Sequence, residues 1–283
     1  MQEQIEPAAQ LIEDALAERF GEAIPVDPGL AGLAELARIA GHRVHRRFLP
    51  RAVEPALLRL ICACALSAPS KSDLQQADIV VIRDKEKQGA IAALIPDMPW
   101  IAQAPVLLIF LADGSRLPQI ARLREKPFPN DHLDLFFNAA VDSAIVLATF
   151  MRAVAAVGLG CCPISAIRDR AATVSELIAL PARVVPVAGL VVGWPAEPGH
   201  ITPRLGLATT LHEERFEPGE LAQQLDAYDR RRAARRPYAR QRDPGRWGEA
   251  EFYGWSEDKA RQYAEPLRAD FGAFVRAKGF RLD

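Results

Sequence analysis

The sequence has 283 residues, of which 49% are hydrophobic and 25% are charged. Its 35 lysines and arginines nearly balance its 36 acidic residues, which gives a formal net charge of −1 at pH 7. The hydrophobic share is high enough to build a core, so a mainly disordered chain is excluded. The near-neutral charge excludes a generally basic surface, and no nucleic-acid partner is expected.

The sequence offers no sign of a membrane span or an export signal. The longest apolar run, residues 104–112, has the length of a strand and falls short of the roughly 20 residues of a membrane helix. The start of the chain is acidic and lacks the basic region of a signal peptide. Cys62, Cys64 and the adjacent Cys161 and Cys162 are poorly placed for disulfides, and no histidine cluster completes a zinc site. We therefore expect a soluble cytoplasmic protein with buried free cysteines, no membrane partner and no metal.

Hydrophobic periodicity predicts helices and strands that alternate along most of the chain. Residues 1–41 are predicted to form a helical extension. Further helices are predicted at 54–66, 85–95, 134–158, 174–180, 221–236 and 256–277, and strands at 77–83, 105–112 and 184–192. This interleaving indicates a layered α+β or α/β domain over residues 42–213, followed by a helical arm over 214–283.

The usual catalytic templates are absent from the sequence. It contains no Gly-x-x-x-x-Gly-Lys-Ser/Thr loop, no Gly-x-Gly-x-x-Gly after a strand, no His-Glu-x-x-His and no Gly-x-Ser-x-Gly. Gly158-Leu-Gly160 shares part of a dinucleotide-binding pattern, but it follows a predicted helix. We interpret it as the end of that helix and a turn.

Three polar segments carry more information when they are taken together. The first, residues 42–48, holds five potentially cationic side chains, and the second, residues 67–76, is a turn rich in hydroxyl and amide groups. The third runs from Gly158 to Arg168 and is followed downstream by Thr202-Pro-Arg204. Arginines pair with phosphate and backbone N–H groups can face ring atoms, so the set suits a phosphorylated ligand with a hydrogen-bonding ring. Taken singly, each segment also fits a solvated surface.

In this order the motifs resemble those of the nitroreductase superfamily. They are His-Arg-x-x-Arg-x-Phe at 42–48, Ala-Pro-Ser at 68–70 with Leu-Gln after it, Gly-Leu-Gly at 158–160, Pro-Arg-Leu at 203–205 and His-Glu at 212–213. The tail from Tyr228 to Phe280 is similar to that of the NADPH-preferring, oxygen-insensitive branch. The resemblance implies an α+β fold with a mixed central sheet flanked by helices. It also implies an intertwined homodimer with a C-terminal helical arm and one FMN per active site at the dimer interface.

The resemblance also assigns site residues. It places His42, Arg43 and Arg46 at the FMN phosphate and ribityl chain, returns Arg204 to the phosphate, and runs residues 163–166 past the flavin ring. The full set of implied FMN contacts is His42, Arg43, Val44, His45, Arg46, Ser70, Met98, Pro163, Ile164, Ser165, Ala166, Thr202, Pro203 and Arg204. No side chain is assigned as catalytic, because the chemistry takes place on FMN N5. Arg240 and Arg236 of the arm are assigned to the 2′-phosphate of NADPH, although a solvated helix face explains these arginines equally well.

The implied function is an FMN-dependent oxidoreductase that takes hydride from NAD(P)H and reduces small acceptors, namely nitroaromatics, quinones or flavins, by a ping-pong mechanism. The sequence departs from the family pattern at several implied contacts, with Val44 for serine, Met98 for glutamine, Ser165-Ala166 for a glycine pair and Thr202 for a basic residue. Two alternatives therefore stay open, a non-catalytic flavin-binding or storage protein and a specialised reductase of the same fold. Bleaching of the flavin by NADPH separates the first from an enzyme.

Overall fold

The computed structural model describes residues 5–283, with side chains described from residue 8 onward, so the first four residues of the predicted extension lie outside the described part. The helices are α1 (Ile5–Phe20), α2 (Leu33–Ala40), α3 (Pro55–Leu66), α4 (Lys85–Ala93), α5 (Trp100–Gln103), α6 (Arg116–Leu123), α7 (Leu133–Ala156), α8 (Ala171–Leu177), α9 (Leu207–Thr210), α10 (Leu221–Arg235), α11 (Pro244–Trp247), α12 (Trp255–Tyr263) and α13 (Phe271–Ala277). The strands are β1 (Ala77–Ile82), β2 (Val106–Asp113), β3 (Gly160–Ile164) and β4 (Val184–Gly193). Short 3-10 turns cover Lys71–Asp73 and Ser165–Arg170.

The chain forms two compact units, and each unit is made of two separate segments. The helical unit comprises residues up to 43 together with 200–267, and the sheet unit comprises residues 44–199 together with 268–283. The extension, domain and arm predicted from the sequence follow one another along the chain, whereas each unit of the structure combines two separate segments. The boundaries of the three predicted segments stay a prediction.

The sheet unit is built on a four-stranded sheet in the order β1-β2-β4-β3. All three strand pairs are antiparallel, so within the described strands the sheet is not the mixed one that the family resemblance implied. The strand β2 is buried along its whole length, which explains why its sequence is continuously apolar instead of alternating. β3 lies at one edge and pairs with β4 alone.

Alternate residues of β2 enter two different cores, because successive side chains of a strand point to opposite faces. Leu107 and Ile109 pack on the face covered by α4, α5 and α8, whereas Leu108 and Phe110 pack on the face covered by α3 and α7. A third cluster joins Ala112, Leu135, Ala139 and Val185 to Val275 and Phe280 from the returning segment 268–283. The sheet is therefore covered by helices on both faces.

Helix α7 is the one described helix that is long and apolar enough to cross a membrane, with a mean hydropathy of 1.6. In the fold it packs against β2 and α3, and its packed face carries the buried polar residues Asp142 and Ser143. These contacts identify α7 as a core helix of the sheet unit. Its opposite face exposes Leu133, Phe137 and Val141.

The helical unit has a smaller core at the packing of α1 against α2. Ala9, Ile12 and Ala15 of α1 meet Leu33 and Ala40 of α2, and Ile201 adds to this cluster from the second segment. The extension is thus packed against the segment that contains Thr202-Pro-Arg204.

Three local features of the chain differ from the sequence prediction. The predicted single helix over 256–277 is wrong, because the chain breaks between α12 and α13, where Pro266 occurs and Arg268 has a φ of +56°. The strand β3 was not predicted, although Gly158 does end α7 with a φ of +77°, as expected of a helix end. Cys161 and Cys162 are buried as expected, but Cys64 is exposed.

Candidate functional site

The predicted site residues fall into both units, and each group is described within its own unit. His42, Arg43 and residues 202–204 belong to the helical unit. The other predicted contacts, from residues 44–46, Ser70, Met98 and residues 163–166, belong to the sheet unit.

In the helical unit, the two predicted segments are joined by an arginine that the sequence did not single out. Arg19, near the end of α1, is only 8% exposed. Its guanidinium donates to the carbonyl of Ala40 at 3.2 and 2.9 Å, to that of His42 at 2.8 Å and to that of Thr202 at 3.2 Å. Its own carbonyl accepts from the amide of Arg204 at 2.7 Å. Burial lowers the pKa of Arg19, and the nearby Arg204 charge lowers it further.

A cavity of about 600 Å³ opens beside these residues in the helical unit. Its wall includes the cations Arg19, Arg204, Arg232 and Lys259, and none of its described lining residues is an aspartate or a glutamate. Tyr228 also lines it and donates its hydroxyl to the carbonyl of Pro203 at 3.3 Å. A cavity with cations and no carboxylates attracts anions, which fits the predicted phosphate role of Arg204.

In the sheet unit, residues 44–48 run beside β3. The amide of His45 donates to the carbonyl of Cys161 at 2.9 Å. A Cβ at Gly160 would lie 2.7 Å from the His45 ring, so this close approach requires glycine. The guanidinium carbon of Arg46 lies 5.8 Å from the centre of the Trp100 ring, within the range of a cation–π contact. Burial raises the pKa of the neighbouring Cys162 thiol, and the charge of Arg46 opposes that shift.

The structure brings several predicted contacts of the sheet unit into one cluster. Ile164 and Ala166 are buried in the core on one face of the sheet, and Val44 and Met98 pack against that core. Pro163 and Ser165 are exposed. Since β3 is an edge strand, one side of its backbone is left unpaired by the sheet. Residues 44–48 occupy part of that side through the bond from His45 to Cys161, and the rest can meet a ligand.

Ser70 lies apart from this cluster and belongs to a turn held by α7. Its hydroxyl donates to Asp142 at 2.6 Å, and the amides of Lys71 and Gln76 donate to the same carboxylate at 3.1 and 3.2 Å. The Ser70 hydroxyl in turn accepts from the amide of Gln75 at 2.7 Å. An acidic residue on a predicted apolar helix suggests an arginine partner, but Asp142 binds this turn instead. The role of Ser70 toward FMN stays a prediction.

A second cavity, of about 530 Å³, is lined by this turn. Within it, Gln76 is fully buried, and neither its amide nitrogen nor its amide oxygen has a partner among the described residues. A buried amide is normally hydrogen-bonded, so this one points to a polar group supplied from outside the described chain. The sequence placed Gln76 in the polar turn but gave it no role, because its burial could not be read from the motif.

Comparisons with known proteins show the family to which the chain belongs. The nitroreductase family model matches residues 39–194, and the model of the nitroreductase family C-terminal domain matches residues 202–283. The chain belongs to the nitroreductase family. The family, the enzyme class and the use of FMN with NAD(P)H, all predicted from the sequence motifs, are thereby confirmed.

Individual relatives of this nitroreductase agree with the family assignment. The chain is 32% identical to the FMN reductase [NAD(P)H] of Bacillus subtilis, over 87% of this chain and 97% of that protein. It is 33% identical to the oxygen-insensitive NADPH nitroreductase of Salmonella typhimurium, over 64% and 73% of the two chains. Among solved structures, B. megaterium NfrA2 matches with a TM-score of 0.79 and 32% identity, over 88% and 98% of the chains.

The residues of this nitroreductase fit an FMN cofactor. Arg46 and the open edge of β3 offer donors in the sheet unit, the buried Gln76 amide lacks a partner, and the helical unit presents Arg204 in a cationic cavity. These are the donor types that a phosphate and a hydrogen-bonding ring require.

The arginines of the arm differ in whether their side chains are paired with other residues. Arg235 pairs with Glu18 at 3.6 Å and Arg242 pairs with Asp258 at 3.5 Å. The side chains of Arg236 and Arg240 are exposed and make no ion pair or hydrogen bond with the part of the chain that is described. They are therefore available for a ligand.

Proposed function

We propose that this nitroreductase takes hydride from NADPH and passes electrons to nitroaromatics, quinones or free flavins in a ping-pong cycle. The observation that supports it most directly is the cluster at the edge strand β3. Arg46 lies close to Cys162 of this strand and over the Trp100 ring, and Met98 packs against the core that contains Ala166. When bound, FMN supplies the hydride and electron transfer, and the protein supplies binding, orientation and electrostatics.

The chain's own residues have distinct parts in this proposal. Arg46 and Arg204 pair with the phosphate, and backbone N–H groups of residues 164–166 donate to the ring. Pro163 has no N–H, so it cannot be one of these donors. A positive charge and N–H donors beside the ring favour the electron-rich state of the cofactor.

A homodimer is part of the same proposal. The outer face of α7 exposes three large apolar side chains, of which Phe137 is 60% exposed, and Leu60 and Leu66 are exposed on the neighbouring α3. Soluble proteins rarely leave such an apolar face uncovered, and a second copy of this chain is the occupant that the family resemblance implies. The same proposal includes that the protein is soluble and lies in the cytoplasm.

The test of the function is the absorbance of the purified protein under anaerobic NADPH. A yellow protein whose flavin bands bleach on NADPH addition and return with a quinone, a nitroaromatic or free flavin supports the proposal. Retained FMN that NADPH does not bleach would instead identify the protein as a flavin-binding or storage protein. Bleaching followed by reoxidation with none of these acceptors would point to the specialised reductase.

Arg240 and Arg236 give the proposal its donor preference. An arginine fork on a 2′-phosphate at a partly exposed site should favour NADPH over NADH by about tenfold and weaken as salt screens it. Arg240→Gln should remove most of that preference in kcat/KM at low salt. Arg242→Gln is the matched control, because Arg242 is already paired with Asp258. Equal preference in the parent and in both variants would contradict this assignment.

A further inference from the structure

Arg19 presents a buried charge without a hydrogen-bonded carboxylate. Its four side-chain hydrogen bonds within the described part of the chain go to the carbonyls of Ala40, His42 and Thr202. Taking a guanidinium out of water is unfavourable by several kcal/mol unless it is well compensated. Carbonyl dipoles compensate in part, and the fork geometry explains why an arginine occupies this place.

Two of the carbonyls that Arg19 holds, those of His42 and Thr202, belong to the two segments assigned to the FMN phosphate within the helical unit. His42 starts the first segment, and Thr202 precedes Arg204 in the second. These segments are far apart in the sequence, yet one planar group binds both, and the amide of Arg204 returns a hydrogen bond to the Arg19 carbonyl. The position of Arg204 relative to residue 42 is therefore fixed through Arg19.

The end of α1 is anchored to Arg204 by further contacts. Arg231 of α10 donates to the Arg19 carbonyl at 3.2 Å and also to the Arg204 carbonyl. Gly21 ends the helix with a φ of +80°, and a Cβ there would lie 2.5 Å from the Arg231 guanidinium. The absence of a Cβ at Gly21 therefore leaves space for the Arg231 side chain.

The electrostatics of this place favour an anion. Arg19 and Arg204 both line the cationic cavity of about 600 Å³; burial and the charge of Arg204 lower the pKa of Arg19, and the Glu18 carboxylate opposes that shift. Lys259 of the same wall is paired with Asp258 at 2.8 Å, but Asp258 does not line the cavity. The repulsion between two like charges is relieved when a phosphate binds beside them.

Arg19 lies outside what the family models describe, since the first of them begins at residue 39. We propose that Arg19 is a positioning residue for the phosphate of FMN, so that the N-terminal extension is a working part of the cofactor site. This proposal rests on the proposed function, because it takes FMN as the ligand.

The experiment compares binding of FMN and of riboflavin, which lacks the phosphate, to the full chain freed of flavin. The variants are Arg19→Gln, which removes the charge, and Arg19→Lys, which keeps the charge but cannot hold three carbonyls in one plane. Arg235→Gln is the matched control, because Arg235 contacts the same end of α1 through the carbonyl and carboxylate of Glu18. Dissociation constants come from quenching of flavin fluorescence, and circular dichroism checks the fold.

We expect Arg19→Gln to weaken FMN binding by about ten- to a hundredfold and riboflavin binding by less than about threefold. Arg19→Lys should lie between this variant and the parent, and Arg235→Gln should match the parent. An equal loss for both flavins, no loss for either, or failure of both Arg19 variants to fold would overturn the proposal and leave Arg19 a purely structural role. The parent reports on the proposed function separately. If the parent binds FMN and its flavin is bleached by NADPH, while the Arg19 variants bind FMN as tightly as the parent, only the role of Arg19 is contradicted.

Discussion

Replacing Asp142 by asparagine should loosen the turn over residues 70–76. The carboxylate is 1% exposed and accepts three hydrogen bonds, two on one oxygen and one on the other. Hydrogen bonds to a charged group contribute about 1.5–3 kcal/mol each, and neutral ones about 0.5–1.5 kcal/mol. Asparagine offers one oxygen, so one bond is lost and the remaining two are weakened, a loss of about 3–5 kcal/mol if nothing moves.

Release of backbone strain in the turn should reduce that loss. Ser72, Asp73 and Gln75 all have positive φ values, a conformation that is unfavourable by about 1–2 kcal/mol for a residue with a Cβ. If the turn detaches from α7, some of that backbone strain is released. We therefore expect the free energy of unfolding to fall by about 2–3 kcal/mol, less than the hydrogen bonds alone predict.

Urea unfolding at fixed protein and flavin concentrations measures this change. Asp134→Asn is the matched control on the same helix, because Asp134 is exposed and its contact with Lys71 is 3.8 Å long. The free energy of unfolding of that variant should fall by less than about 1 kcal/mol. A loss for Asp142→Asn no larger than that of the control would refute the argument that the carboxylate holds the turn.

Three further outcomes follow from the structure. Arg183 donates to Asp131 at 2.5 and 2.7 Å and lowers the pKa of that carboxyl, so the pair stabilises the fold above the unfolded pKa of about 3.9 and loses this as pH falls below it. Asp131→Asn should accordingly flatten the acid side of the stability profile, and an unchanged acid slope would contradict this. Phe137→Asp should shift the sedimentation of the protein from dimer toward monomer, and an unaltered dimer would place the interface elsewhere. Arg46→Gln and Arg204→Gln should each weaken FMN binding by about ten- to a hundredfold with the circular dichroism unchanged, and full FMN retention after dialysis would show that the phosphate lies elsewhere.

The sequence was most informative where one physical signal dominates. The continuous apolar run of β2 and the β-branched run of β4 were predicted to within about two residues at each end, because a strand buried on both faces leaves no other pattern. The strand β3 was missed because it is five residues long, contains Pro163, and starts at Gly160 shortly after Gly158, all of which favour a turn. The break after α12 was hidden because helical periodicity continues on both sides of Pro266.

The candidate site was predicted through motifs and not through contacts. The motifs named Arg46, Arg204 and residues 163–166, but they could not reveal Arg19, whose partners are backbone carbonyls contributed by distant segments. For Asp142 the sequence suggests the wrong partner, since an acidic residue on an apolar helix suggests an arginine and its actual partners are two amides and a hydroxyl.

The discontinuity of the sheet unit has a consequence for how the protein folds during synthesis. Residues 44–199 are made before the rest of the sheet unit, yet one of their apolar clusters is completed by Val275 and Phe280, which follow only after the intervening segment 200–267. At about 5–20 residues per second, a ribosome takes roughly 3–14 s to make that segment. Throughout this delay Ala112, Leu135 and Val185 lack the contacts that Val275 and Phe280 supply in the folded protein. A ribosome-bound chain stopped before residue 268 should therefore be cut by protease at the start of α7, and a chain extended past residue 280 should resist.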